Sequence, residues 1–299
     1  MVESTLNTEK KNIGLIALLV TTLIWGTSFV ILKNALDSIP TLYIMAVRFS
    51  GAAVIMIAAG AREWKKADKT YLLAGVLMGV CMFLAYTFQT YGLFYTTPGK
   101  NAFLTTTYCV IVPFLHWAFR GRRPDRWNVL AALLCVVGVG LISLDSGMAV
   151  NRGDVLTVIC GLFYALHIIV TARYVRGRNT ILLTAIQFAT AAALSWIAAL
   201  LTDPFPQSAP SGAWVAVAYL CVMCTAVCFW LQAFGQKYTH PSQVAVVMTL
   251  ESVFGAAISI LFFHEQITLK VFCGFAAVFI AVIISETKLS FLHRRKKAE

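Results

Sequence analysis

Charge is what this sequence has least of. Only 12% of its 299 residues are Asp, Glu, Lys or Arg, about half the ~25% usual in a soluble domain. Hydrophobic residues make up 59%, and mean hydropathy is +0.78. No polar stretch is long enough for a separate soluble domain. The scarcity excludes a soluble fold and makes the lipid bilayer the expected solvent. Catalytic and nucleotide motifs are also missing. There is no P-loop and no G-x-S-x-G, and Gly138-Val139-Gly140 lacks a third glycine and a preceding strand. His264-Glu265 lacks the second histidine of H-E-x-x-H, because Thr268 stands there. ATP-driven transport by this chain is therefore not expected, nor is a cofactor or a resident metal. The eight cysteines all fall in apolar runs, which argues against a disulfide framework. Cys221, Cys224 and Cys228 share a helical face and read as small packing residues rather than metal ligands.

The net charge of +11 could suggest nucleic acid, but the basic residues form short clusters between apolar runs. That is the pattern of cytoplasmic loops, and no nucleic-acid partner is expected. Residues 1–12 are polar, and the apolar run after them exceeds a signal-peptide core of about 7–15 residues. It reads as an uncleaved first span.

A spanning helix needs about 20 mostly apolar residues. Ten runs meet this: 13–35, 41–59, 71–92, 98–119, 127–145, 154–174, 180–201, 213–235, 241–263 and 267–287. With a cytoplasmic N-terminus, the inner segments hold 19 of the 24 Lys and Arg, in clusters such as Arg62–Lys69 and Arg120–Arg126. The outer segments hold three, namely Lys100, Arg152 and Lys270. This asymmetry predicts ten spans with both termini inside.

The sequence repeats itself. Residues 89–102 lie over residues 232–245 without a gap, identical at Gln89/Gln232, Gly92/Gly235, Tyr95/Tyr238, Thr96/Thr239, Pro98/Pro241 and Ala102/Ala245. Ala46–Ala53 likewise lies over Ala185–Ala192. The halves, 13–145 and 154–287, hold five spans each. Five is odd, so the second half enters the membrane from the opposite side. The expected fold is all-α, with ten transmembrane helices as two inverted five-helix repeats, the arrangement of alternating-access transporters.

Several stretches resemble the EamA family of the drug/metabolite transporter superfamily. They are Trp25-Gly26-Thr27-Ser28-Phe29, Ala46-Val47-Arg48-Phe49, Tyr91–Thr105, and Leu250-Glu251-Ser252-Val253-Phe254. Ser252 replaces the proline usual in the last phrase. Phe263-His264-Glu265-Gln266-Ile267-Thr268 is similar to the family's helix-ending Gly-Glu-Arg-Leu-Thr, with His264 in the glycine position. The resemblance covers essentially the whole chain. It implies an inner-membrane protein that exports or exchanges small metabolites, with amino acids, nucleosides, cations and drugs among the family's cargo.

Glu251 is the leading site candidate. It sits near the middle of the ninth run, where a charge costs about 2.5–3.5 kcal/mol on insertion scales. It suits a proton-coupled or cation-binding role; the plainer reading is a bond to a neighbouring helix backbone. Its repeat counterpart is Tyr108. Trp25 and its counterpart Tyr164 could form an aromatic wall for amphipathic substrates or simply pack helices. His167, one turn from Tyr164, could titrate near neutral pH or satisfy an interhelical hydrogen bond. Gln89 and Gln232 match across the repeat and suit a cavity lining, a hinge or interhelical bonding. Arg48 lies about 10 Å inside its span, able to snorkel or to hold an anion; neutral Gln187 is its counterpart. Lys33 is expected to snorkel, and Lys100 and Asn101 to form a solvated rim. The glycines within spans are expected to let helices approach closely.

These features favour a secondary transporter for a small-molecule substrate, working by proton exchange or facilitated diffusion, in which a monomer suffices. The alternative is an intramembrane enzyme acting on lipid-like substrates. An enzyme needs clustered catalytic groups at one depth, and Glu251 is the only acidic residue deep in a run.

Overall fold

The computed structural model describes residues 2–120, 123–144, 150–175, 178–206, 208–238 and 247–288. Side chains at 2–11, 120, 172, 233–234, 236–238 and 286 fall outside that description. The described chain is α-helical, and its sole non-helical pairing is a backbone bridge between Leu144 and Val150.

The ten spans are as follows. The first three are α1 (Val2–Leu36), α2 (Thr41–Ala59) and α3 (Lys69–Tyr95). The fourth is divided into α4 (Pro98–Thr105) and α5 (Tyr108–Arg120), and the fifth is α6 (Arg126–Ser143). The sixth and seventh are α7 (Arg152–Tyr174) and α8 (Thr180–Thr202). The eighth comprises α9 (Ser211–Tyr219), a π-helical segment (Leu220–Val227) and α10 (Cys228–Tyr238). The last two are α11 (Leu250–Phe263) and α12 (Leu269–Thr287). Among the described residues, eight spans are long and apolar enough to cross a membrane; α11 and Leu269–Ser285 of α12 are shorter apolar helices. Much of the ninth run's first part, including Pro241, lies outside the described residues. Val136, Leu201 and Phe262 are 71%, 79% and 71% exposed, as side chains facing lipid should be.

Local chemistry starts these helices where the turns are. Asp68, Asp125, Asn151, Asn179 and Thr268 each accept a backbone N–H from the first turn of the helix that follows. Pro113 interrupts α5. It has no N–H to give the carbonyl of Cys109 one turn back, and the Ser285 hydroxyl lies 3.5 Å from that oxygen. α11 ends at His264, whose φ of 49° is left-handed, at the position where the family phrase carries glycine. That conformation strains a residue with a side chain. His264→Gly should raise stability by about 0.5–1 kcal/mol after the larger chain entropy of glycine is offset. A higher thermal midpoint in detergent is the expected result, and a lower one would contradict it.

Two departures from regular spans matter. Span 4 was expected as one helix; it breaks at Thr106-Thr107, where the hydroxyls donate to the carbonyls of Phe103 and Leu104 (2.7 Å each). Span 8 widens into the π-helical segment, where the Thr225 hydroxyl donates to Leu220 O, five residues back (2.8 Å). Such widenings recur at functional sites.

The main packing pattern is unchanged when each of the first five spans is exchanged with the span five further on. Span 3 packs on span 6 as span 8 packs on span 1, and span 1 packs on span 9 as span 6 packs on span 4. Spans 2 and 7, 4 and 9, and 5 and 10 pair with one another. Lys33, the α3–α4 turn, Asp154 and Glu265 meet at one end of the bundle. That end, opposite the chain's N-terminus, is called distal below.

Candidate functional site

Arg48 on α2 is 3% exposed, so it does not snorkel. Its Nε donates to the Thr225 hydroxyl at 2.5 Å. Its Nη2 lies 3.5 Å from the Tyr86 hydroxyl, and its guanidinium carbon stands 4.8 Å from the Tyr86 ring centroid. The π register aims Thr225 at Arg48, while the Trp25 indole donates to Cys224 O of the same segment at 2.7 Å. Span 8 thus ties spans 1 and 2 to one irregular stretch of backbone.

From Tyr86 an aromatic series crosses to the second half. Its ring meets Tyr164 edge-on at 5.6 Å, and Tyr164 lies 6.2 Å from Tyr108. The Tyr164 hydroxyl donates to Gln89 Oε1 at 3.0 Å, and Gln89 Nε2 donates to the Thr105 hydroxyl at 3.1 Å. Trp25 packs against Phe229 at 5.5 Å. It also borders the small cluster of Leu18 and Met248, the latter just before α11.

Glu251 opens the first turn of α11, just after a turn at Thr249. In the repeat, Thr249 overlies Thr106 and Glu251 overlies Tyr108. Both halves tighten into an i, i+3 turn at this point: Cys109 N bonds Thr106 O at 3.1 Å, and Ser252 N bonds Thr249 O at 3.2 Å. Each break leaves the N-terminus of a half-helix inside its span, where backbone N–H groups favour negative charge. The first half places a tyrosine there and the second a carboxyl. Glu251 is half-buried and has no hydrogen bond or ion pair among the described residues. It lies within electrostatic range of Tyr86, Tyr164, Cys160, Cys224 and Cys228. Arg48 lies within the same range of Tyr86, Tyr164, Cys224 and Cys228, so acid and base address one region between the halves.

Other expected site residues take different places. The His167 Nε2 lies 3.0 Å from Gln187 Oε1, and Gln187 Nε2 lies 3.3 Å from Met82 Sδ, an interhelical lock one helical turn from Tyr86. Gln89 is fully engaged, whereas Gln232 has no hydrogen bond among the described residues. The matched glutamines are therefore not matched in environment. Asn101 is buried and not part of a solvated rim, donating to Gln89 O and to the Thr157 hydroxyl (3.1 and 2.8 Å). Lys33 reaches the turn at the end of α3. Its ammonium donates to the carbonyls of Leu93, Phe94 and Thr96 at 2.6, 2.9 and 3.0 Å, capping the end of α3.

Sequence reading missed Tyr86, Thr225 and Asp154. Tyr86 and Thr225 carry no spacing signal; they matter because α3 and the π segment bring them to Arg48. Asp154 could have been noticed as an acid opening an apolar run. It is 1% exposed. Two cavities lie elsewhere: one of about 330 Å³ is lined by Lys33, Thr97, Lys100, Glu265 and Gln266 among others, and one of about 250 Å³ by Leu36, Tyr91 and Asp203 among others. Glu251 lines neither. The described residues hold no group of three or more His, Cys, Asp or Glu placed to bind a metal.

Comparison with known proteins bears on the whole chain. The model of the EamA-like transporter family matches twice, over residues 12–144 and 151–287. A protein of Archaeoglobus fulgidus described as an uncharacterized transporter is 33% identical over 268 residues, 88% of this chain and 82% of its own. A second from the same organism, described in the same words, is 24% identical over 83% of this chain and 89% of its own. A crystal structure described only as that of a protein superposes with a TM-score of 0.67, covering 96% of this chain and 98% of its own at 17% identity. That likeness concerns the fold.

Proposed function

Because this chain belongs to the EamA-like transporter family and is a multi-pass membrane transporter, we propose that it exports small metabolites, amino acids or amphipathic aromatic compounds, by alternating access coupled to protons. The halves 13–145 and 154–287 act as inverted repeats, with both termini cytoplasmic in an inner membrane, and one monomer suffices. The exchange of spans in the packing pattern supports two halves related by a two-fold axis. With five spans each, such halves run in opposite directions through the bilayer. The protein binds and moves its substrate rather than transforming it.

One observation carries the site. Glu251 heads a half-helix between the halves, within electrostatic range of Tyr86 and Tyr164, with no partner of its own among the described residues. A carboxyl in such a place binds a proton or a cationic group on the cargo, and the two compete for it. Arg48, held by Thr225 and Tyr86, supplies the positive charge for an anionic group of the same cargo. Trp25, Tyr108 and Tyr164 present rings to its body, Gln89 orients the Tyr164 ring through their 3.0 Å hydrogen bond, and Gln232 and His167 complete the set of candidate residues.

A thermal-shift screen of the detergent-solubilised protein across amino acids, nucleosides and organic cations tests this reading. At a ligand concentration of 100 Kd, binding adds about 2.7 kcal/mol to stability. The expected result is a concentration-dependent rise with a compound bearing an ammonium group, lost in Glu251→Gln. A ligand that stabilises both proteins equally would remove Glu251 from the site.

A further inference from the structure

The α3–α4 turn, Thr96 to Lys100, belongs to the first half, and two acids of the second half hold it. From α7, Asp154 Oδ1 accepts the Thr96 hydroxyl at 2.5 Å, and its Oδ2 lies 4.0 Å from the Lys100 ammonium. From the α11–α12 connection, Glu265 accepts the Thr97 hydroxyl and, at 3.2 Å, the amide of Gly99 in the first turn of α4. The Ser259 hydroxyl also reaches Glu265, at 2.5 Å. Lys33 stiffens the turn from within the first half by gathering its carbonyls. The turn is thus a rigid piece gripped on two sides by carboxylates of the other half.

Beneath the grip, α3 and α7 touch backbone to backbone. A Cβ built on Gly153 would stand 2.6 Å from Gly92 O and 2.9 Å from Thr96 N. The same crossing recurs at the proximal end, where a Cβ on Gly235 would stand 2.8 Å from Gly14 O and 2.5 Å from Leu18 Cγ. Gly92 corresponds to Gly235 and Gly153 to Gly14, so one contact recurs at each end of the bundle. The acids are not duplicated. Asp154 corresponds to Leu15, and Glu265 to Arg122, which lies outside the described residues. The crossing is common to both ends, and the carboxylate grip is an addition of the second half.

We propose that Asp154 and Glu265 are the positioning residues of a distal gate: they hold the α3–α4 turn against the second half and so keep this end of the transport pathway shut. The proposal rests on the alternating-access reading above. The grip is strong enough to close and weak enough to release. Among the described residues no donor lies within hydrogen-bonding distance of the buried Asp154 Oδ2, and its nearest described cation stands at 4.0 Å, beyond good hydrogen-bonding distance. Separation of the halves rehydrates that oxygen, which offsets part of the loss of the Thr96 bond.

The test uses the full-length protein with Cys160 as its single remaining cysteine. Cys160 is fully buried on α7, against Thr105, about 9 Å along the helix from Asp154. A membrane-impermeant maleimide is applied to one face of the membrane at a time, without substrate. Asp154→Asn and Glu265→Gln should each speed labelling of Cys160 from the distal face by about tenfold, the scale of one hydrogen bond to a charged group, and leave proximal labelling unchanged. Thr97→Val, which removes a donor and no charge, should move labelling the same way and serves if an acid variant fails to fold. Unchanged distal labelling in the folded variants, or an equal rise from both faces, would overturn the proposal. The readout needs neither cargo nor Glu251, so a failed gate and a failed transport site are told apart.

Discussion

Replacing Glu251 by glutamine is expected to abolish the pH change that substrate drives in proteoliposomes while leaving the protein folded. Glutamine has nearly the same shape and keeps polar atoms at the head of α11. It removes the group that can exchange a proton for a cation. Among the described residues nothing hydrogen-bonds the native carboxyl, so the substitution strands no partner, and the thermal midpoint should stay close to the wild-type value. If the carboxyl binds an ammonium group with about 3 kcal/mol, the scale of a charged hydrogen bond, affinity falls about a hundredfold. Glu251→Asp should keep part of the activity, because the charge survives at a shorter reach. A pH signal of wild-type size in Glu251→Gln would assign proton coupling to another group.

Arg48 should be nearly as sensitive, for a different reason. Its guanidinium is buried, bonded to Thr225 and seated over Tyr86. Lysine keeps the charge and loses both the planar fork and the stacking. Arg48→Lys should reduce transport about tenfold, and Arg48→Ala about a hundredfold, for a cargo with an anionic group. Uptake of a cargo with a cationic group alone should fall far less. Initial rates for two such compounds, compared across the three proteins, check this. A uniform loss for both would mean that Arg48 only fastens the π segment to span 2.

The all-α fold and its ten spans were legible in the sequence because they follow from quantities that add along the chain. Apolar runs near bilayer length predicted the helices. The matched phrases at 89–102 and 232–245 fell at equivalent points of the two halves, each at the end of a third span and the start of a fourth. Breaks within spans were not legible. Thr106-Thr107 and Thr249 sit in apolar runs and lack glycine or proline at the bend, and the proline usual near Glu251 is replaced by Ser252. The π-helical segment was equally silent, since Leu220–Val227 reads as ordinary helix. Its irregularity shows only where Thr225 bonds Leu220 and Arg48 from opposite sides.

Within the site, residues that are exceptional in a membrane were easy to find. Glu251 and Arg48 stood out because charge in an apolar run is expensive. Their partners did not, because Tyr86 and Thr225 are unremarkable until three spans converge. Asp154 carries no such signal, because an acid that opens its run can face water. α3 and the turn after it cover it instead. Asn101 was misplaced for a related reason: proximity to a span end was read as exposure, whereas the carbonyl of Gln89 and the hydroxyl of Thr157 hold its side chain inside.

The inverted relation of the halves underlies every step from fold to transport. It can be measured at two loops that correspond in the repeat, the one after span 1 and the one after span 6. In a cysteine-free background, Asp37→Cys and Arg178→Cys are each probed with an impermeant maleimide from either face of the membrane. Inverted halves predict labelling of the two positions from opposite faces, and the proposed cytoplasmic N-terminus puts position 37 outside and position 178 inside. Labelling of both positions from the same face would contradict the account.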